Sequence, residues 1–252
     1  KNFKGATNLS LEKKFELGAT TAMWANKKCS DDSIEESMFL KIRKKIYNDI
    51  SGSGLEIGAF EHPAELPSSC EVKYFDRITT DQARELFPEI LHEKLPKVDI
   101  IGDLDEKGLE QIPSESFEFV IMNHVLEHLF DPIQAINESL RILKPGGSLV
   151  ISVPDKRFTF DFERKLTKWD LLLNRFQKGG KKPEFENYEE FYQVHPNLKG
   201  KTLSNKEKIS FLKECIERRE HLNVWDSTTF KKFLMRTLKF LEVEVNFEKE
   251  LS

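Results

Sequence analysis

The segment Phe117 to Pro154, FEFVIMNHVLEHLFDPIQAINESLRILKPGGSLVISVP, constrains the chain more than any other, because it reads as strand, loop, capped helix and second strand. Phe119 to Met122 is a continuous apolar run, which suits a strand buried on both faces in a parallel sheet, and a second such run spans Leu149 to Val153. Between them Asp131 is a natural N-cap and Pro132 a natural first helical residue. Ile133, Ile136, Leu140 and Leu143 then recur at helical spacing until Pro145-Gly146-Gly147. The unit is a βαβ crossover, right-handed by default, and half of a doubly wound α/β fold.

Further elements fit the same alternation. Ser33-x-x-Glu36 is a capping box, and Ile34, Met38, Ile42 and Ile46 carry a helical face to about Asn48. Ser51 to Gly54 then releases a first core strand. Strands are expected at Val72 to Phe75 and Val98 to Ile101, with a helix from Asp81 to Leu91 between them. Phe15, Leu17, Met23 and Trp24 suit an N-terminal lid or packing onto the core, and packing is the expectation. Phe230, Phe233, Leu234, Leu238 and Leu241 make a late helical face, and Leu241 to Phe247 alternates like a strand. The sequence stops soon afterwards, so a complete seventh strand is not expected.

At 252 residues the chain suits one domain. Its divisions are an N-terminal helical region over 1–50, a cofactor-binding core over 51–154, an insertion over 155–225, and a closing helix and strand over 226–252. A charged fraction of 33% with net charge −4 and no basic block argues against a nucleic-acid partner. Cys29, Cys70 and Cys215 form neither a C-x-x-C pair nor a disulfide framework, which favours a reducing, cytoplasmic setting. No apolar run nears the ~18 residues of a membrane span, and no signal-peptide core is evident. The chain begins at Lys1 and not at methionine, as a trimmed chain or a piece of a longer protein would. Nothing in the sequence sets an oligomeric state.

Leu55-Glu56-Ile57-Gly58 with Pro63, VKYFD (Val72 to Asp76), NHVLEH (Asn123 to His128), LKPGG, PDKRFTFD (Pro154 to Asp161) and EHLNVW (Glu220 to Trp225) occur in order over roughly residues 50 to 240. Together they resemble class I S-adenosylmethionine-dependent methyltransferases, and within them a group linked to bacterial capsule and lipopolysaccharide synthesis. The resemblance implies a seven-stranded, mostly parallel Rossmann-like sheet with a substrate-recognition cap. Its cofactor would be S-adenosyl-L-methionine, leaving S-adenosyl-L-homocysteine. It implies O-methylation of a sugar or other glycan precursor. A small metabolite, or a phosphorylated or phosphoramidate capsule substituent, is the alternative acceptor. A non-catalytic, cofactor-binding scaffold in a glycan-assembly protein is the alternative of another class. N-methylation of a nucleic acid is disfavoured, because Asn123-His124-Val125-Leu126 stands where a Pro-Pro-aromatic motif would be expected.

The same resemblance assigns roles to strand ends. Glu56, Ile57, Gly58, Ala59 and Phe60 form the cofactor's glycine loop, although later glycines of the usual pattern are replaced. Glu56 would help receive the methionine ammonium. Asp76, with Arg77 beside it, would accept the ribose hydroxyls, a task suited to a group with two acceptor oxygens. Asp103 would receive the adenine amino group, with Asp105 as its competitor and Leu104 against the ring. Asn123 and His124 would line the cofactor, while His128 reads as a structural helix residue.

A hydroxyl acceptor calls for a general base, and His221, His124 and Asp155 are the candidates, His221 first. His221 equally suits a hydrogen bond to the cap. Lys156 and Arg157 suit an anionic group on the acceptor, or ion pairs with Asp161 or Glu163. Trp225 offers an apolar or sugar-stacking wall. The resemblance to sugar methyltransferases leaves a Mg²⁺-assisted route open, but no cluster of carboxylates has convincing ligand spacing, so no metal is assigned.

Overall fold

The computed structural model describes residues 13–20, 46–179, 183–195, 198 and 203–251. Seven strands form one sheet: β1 (Lys13–Thr20), β2 (Gly52–Ile57), β3 (Cys70–Asp76), β4 (Ile100–Ile101), β5 (Phe117–Asn123), β6 (Leu143–Pro154) and β7 (Val245–Leu251). Their order is β4-β3-β2-β5-β6-β1-β7, and every registered pair is parallel. This is the doubly wound α/β architecture that the βαβ segment predicts.

Phe119, Val120, Ile121 and Met122 are fully buried, as a central parallel strand requires. Gly54 lies so close to β5 that a Cβ there would fall 2.0 Å from the Phe119 ring, so a side chain would part β2 from its neighbour. Helix α2 (Pro132–Ile142) crosses from β5 to β6; the Asp131 carboxylate accepts from Gln134 N at 3.0 Å at its start. No coil follows it. The Pro-Gly-Gly segment lies within β6, whose pairing with β5 shifts register between Phe117 and Phe119.

Helix α1 (Thr80–Leu86) is capped by Thr79 and Gln82 and gives way to a short turn at Pro88–Ile90, so the helix expected to reach Leu91 is shorter. Strand β4 holds only the last two residues of its expected span. The inserted region contains α3 (Trp169–Lys178), α4 (Glu189–Val194) and α5 (Asn205–Arg218). Tyr188, Phe191, Leu212, Cys215 and Leu222 give it an apolar core of its own. Helix α6 (Ser227–Phe240) then buries Phe230, Phe233, Leu234 and Leu238 against the main core.

Two expectations at the chain's ends need correction. Residues 13–20, within the region expected to be helical, are a strand between β6 and β7, where backbone pairing on both sides outweighs local propensity. The seventh strand is present: β7 begins four residues later than the alternation from Leu241 suggested and pairs with β1. Of the helix expected up to Asn48, Ile46 and Tyr47 are helical and buried, Asn48 is in a turn, and residues 33–45 lie outside the described residues, as do Met23, Trp24 and Cys29. Among the described residues no helix is long and apolar enough to cross a membrane.

Candidate functional site

Strand order reverses between β2 and β5, and in such sheets the crevice beyond the strand ends at the reversal receives ligands. Gly58 turns the chain there with φ +65°, and a Cβ at this position would meet Val125 Cγ2 at 2.9 Å. Phe60 follows with φ +48°, a left-handed conformation uncommon for a bulky residue, and packs edge-on against Phe87. Backbone strain of this kind gathers where a loop must keep one shape.

Asp76 ends β3 beside that loop. Its Oδ1 accepts from Arg77 N at 2.6 Å and Ile78 N at 3.4 Å. Ala59, Phe60, Asp76, Ile78 and Thr80 are among the residues lining one cleft. Burial raises the Asp76 pKa, although the two backbone donors and Arg77 oppose it. The Arg77 guanidinium turns away to the Glu217 carbonyl at 2.7 Å. Glu56 is 1% exposed, and both its oxygens accept from Ala64 N, at 2.9 and 3.0 Å. It braces the loop from within, and Ile57 belongs to the core.

The third strand end is tied to the cap. Arg219 pairs with Asp103 at 2.5 Å and with Asp105 at 2.7 Å, so the carboxylate expected for adenine already has a partner. Asp105 also accepts from Phe130 N and Asp131 N, both at 2.9 Å, which makes it an internal brace. Leu104 belongs to the core. At the end of β5, Asn123 donates to Tyr47 Oη and accepts from Ser152 Oγ, both at 2.8 Å. His124 follows with φ +54°.

Beyond β5 a turn at Leu126–His128 meets the EHLNVW segment. The Glu127 carbonyl accepts from Leu222 N at 2.7 Å and Asn223 N at 2.9 Å, and Asn223 Nδ2 donates to the Leu126 and Leu129 carbonyls. This stitching carries His221 to Glu127 and His128. His221 Nδ1 lies 2.7 Å from Asp161 Oδ2, and its ring packs against Phe160 and edge-on against His128. Arg164, itself buried, holds Asp161 from the other side at 2.7 Å and donates to the His221 carbonyl.

Burial alone would favour neutral His221, but the Asp161 bond and the charges of Asp161 and Glu127 outweigh it and raise the pKa. Burial would likewise raise Asp161, yet His221 and Arg164 hold it below the ordinary carboxylate value. Burial drives His128 down to about 4 against the opposing charge of Glu127. Glu127 is fully buried, and neither oxygen makes a hydrogen bond; His124 Nδ1 stands at 3.5 Å and His128 Nε2 at 3.8 Å. Ligand atoms of Glu127, His128 and His221 all lie within 4.8 Å of one another, a grouping no local spacing reveals.

The remaining candidates occupy other places. Asp155 is buried and accepts from Arg157 N, the Arg157 guanidinium and Ser227 N, which joins the end of β6 to α6. A carboxylate so engaged has no oxygen to spare as a base. Arg157 therefore pairs with Asp155, not with Asp161 or Glu163, and Lys156 donates to the Arg164 carbonyl. Trp225 is 1% exposed and stacks on Phe233 at 5.2 Å, so it is a core residue and not a sugar wall. Glu127, Asp161, Arg164 and Arg219 were absent from the candidate site residues. NHVLEH and PDKRFTFD contain the first two, but only tertiary contact shows what they face.

A parallel sheet with a glycine-turned loop at its reversal point, an acid ending the next strand and a polar cluster under a cap defines a doubly wound, Rossmann-like α/β fold. Residues 40–194 match the family model described as a methyltransferase domain, and the chain belongs to that family. A probable S-adenosylmethionine-dependent methyltransferase of Mycolicibacterium smegmatis is 41% identical over 84 residues, 33% of this chain and 29% of that protein. An uncharacterized 37.1 kDa protein in transposon Tn4556 of Streptomyces fradiae is 41% identical over 64 residues, 25% of this chain and 18% of that one. The matched part is thus under a third of either curated relative. A putative methyltransferase from Bacillus halodurans, known from its crystal structure, aligns with TM-score 0.42 and 17% identity over 79% of this chain and 67% of its own.

Proposed function

We propose that the protein is an S-adenosylmethionine-dependent O-methyltransferase acting on a sugar or other surface-glycan precursor in capsule or lipopolysaccharide synthesis. The observation that carries methyl transfer is the cleft lined by Ala59 and Phe60, which follow Gly58, and by Asp76 at the end of β3, in a chain of the methyltransferase family. Asp76 fits a diol: its Oδ1 takes two backbone donors, while Oδ2 remains for a hydroxyl. The Gly58 loop would take the methionine portion. When bound, the cofactor supplies a sulfonium-activated methyl group.

In-line displacement asks the protein chiefly to hold acceptor and methyl group in register. A hydroxyl acceptor must also lose a proton. The Glu127–His128–His221 cluster supports that half of the reading, since it stands beyond β5 with His221 oriented by Asp161. The glycan acceptor is supported by the sequence resemblance around PDKRFTFD and EHLNVW. Incubation of the protein with methyl-labelled S-adenosylmethionine and extracts of a strain lacking the gene tests the reading. Label should enter a glycan precursor, with S-adenosylhomocysteine released. Label in a small metabolite would replace the acceptor class, and no labelled product with cofactor bound would favour a scaffold.

A further inference from the structure

Glu127 is the most anomalous side chain in the described residues. Its carboxylate is fully buried, and neither oxygen has a donor at full hydrogen-bond geometry. Although burial opposes ionisation, His124 and the charges of His128 and His221 hold its pKa below the ordinary carboxylate value, so it is a buried anion faced only by imidazoles. The groups that face it are imidazoles: His128 Nε2 at 3.8 Å and, on the other side, His124 Nδ1 at 3.5 Å.

The hydrogen bonds of the two deeper histidines fix their tautomers. His128 Nδ1 lies 2.5 Å from the Arg219 carbonyl, which can only accept, so Nδ1 carries the proton and the neutral ring keeps its lone pair on Nε2. His221 Nδ1 lies 2.7 Å from the Asp161 carboxylate, so Nδ1 carries a proton and Nε2 is the nitrogen left for a cation, which would displace any proton held there. Metal-bound histidines show this arrangement, in which the distal N–H is donated to a carbonyl or carboxylate that orients the ring and raises its basicity. Asp161 is in turn held by Arg164, and Arg219 is held by Asp103 and Asp105, so both supports are anchored.

We propose that Glu127, His128 Nε2 and His221 Nε2 bind a divalent transition cation of the zinc class. Two nitrogens and one carboxylate oxygen match the borderline preference of such ions, whereas magnesium and calcium favour all-oxygen sites. Ligand atoms about 2.0–2.1 Å from an ion stand roughly 3.3 Å apart in a tetrahedron. The three groups, now within 4.8 Å of one another, reach that spacing by side-chain movements of about an ångström or so. Three protein ligands leave a coordination position open, the pattern of a catalytic and not a structural site. An acceptor oxygen fits that position, and this use of the ion rests on the reading of the cluster as the acceptor-activating site. Binding of the ion does not rest on it.

The test begins with chelator-stripped, full-length protein titrated with Co²⁺, a spectroscopic substitute for zinc, and with Zn²⁺ in a calorimeter. One equivalent should bind, with visible cobalt absorption. Glu127→Gln and His128→Gln should each weaken binding at least as much as the ~100-fold that loss of a supporting partner can cause, and Asp161→Asn by ~10–100-fold. His92→Ala, at an exposed position far along the chain, should bind like the wild type. No saturable cobalt binding by the wild type, or undiminished binding by folded Glu127→Gln and His128→Gln, overturns the proposal.

If those variants fail to fold, wild-type protein alone decides. Cobalt should give the large contact shifts of directly bound imidazoles for two of the six histidines, with through-space shifts at the neighbouring His124, whereas shifts centred on the exposed histidines overturn the site. These measurements need no acceptor, so their failure is separable from failure of the methyl-transfer reading. A His221→Ala enzyme that loses turnover while the wild type binds no ion would defeat the metal site and leave His221 as a base.

Discussion

His221 Nδ1 meets Asp161 Oδ2 at 2.7 Å, joining two residues 60 positions apart across the cap. The contact engages Nδ1 and leaves Nε2 as the nitrogen for a base or ligand role beside Glu127 and His128. Arg164 then anchors the carboxylate that orients the ring.

Removal of that imidazole should affect chemistry and spare the cofactor. His221→Ala should lower kcat by ~100-fold or more, while cofactor affinity stays within a few tenths of a kcal/mol, because the ring stands outside the Gly58–Asp76 cleft. Asp161→Asn should show a smaller loss of the same kind. Steady-state kinetics with calorimetry of the cofactor decides this; turnover untouched in His221→Ala would make the histidine structural.

Trp225 and Arg157 should behave as structural residues. Trp225→Ala should cost about 3–5 kcal/mol in urea unfolding, the usual range for truncating a buried tryptophan. Arg157→Ala should leave acceptor KM within about twofold, since that guanidinium is engaged by Asp155 and Ser227. A tenfold rise in KM confined to a charged acceptor would restore the anion-binding role.

Asp131 predicts a pH effect. Burial, reinforced by Asp105 and opposed by the Gln134 amide, raises its pKa to about 6. A carboxyl with a folded pKa above its unfolded value of about 3.9 binds more protons in the folded state, so its contribution to stability falls as pH rises from about 4 to about 6 and is level beyond. Asp131→Asn keeps a capping oxygen for Gln134 and removes the ionisation. The variant should gain on wild type by about 2–3 kcal/mol across that interval. Denaturant unfolding at pH 4 and pH 7 measures the gain; a constant difference would refute it.

How far the sequence speaks depends on the range of the interaction. The β5–α2–β6 unit was legible because apolar runs, an N-cap and a Pro are local signals, and the same holds for the capped α1 and the apolar face of α6. Strand β1 was not, since KKFELGAT carries a weak strand pattern and gains its place from pairing with β6 and β7. Candidate site residues followed the same division. Asp76 could be placed at a strand end from the VKYFD run alone. The internal partners of Asp103, Asp155 and Glu56 are Arg219, Arg157 and Ala64, which no spacing rule pairs with them. His221 joins Glu127 only because the EHLNVW segment hydrogen-bonds along the turn after β5.

The central claim is that the cleft between the Gly58 loop and Asp76 holds S-adenosylmethionine. Titration of wild type and Asp76→Ala with S-adenosylhomocysteine in a calorimeter tests it most directly. Wild type should bind one equivalent, and the variant should lose ~2–4 kcal/mol, from ~1.5–3 for each charged bond to the ribose with incomplete additivity. No binding by folded wild type, or equal affinity in the two proteins, would contradict it.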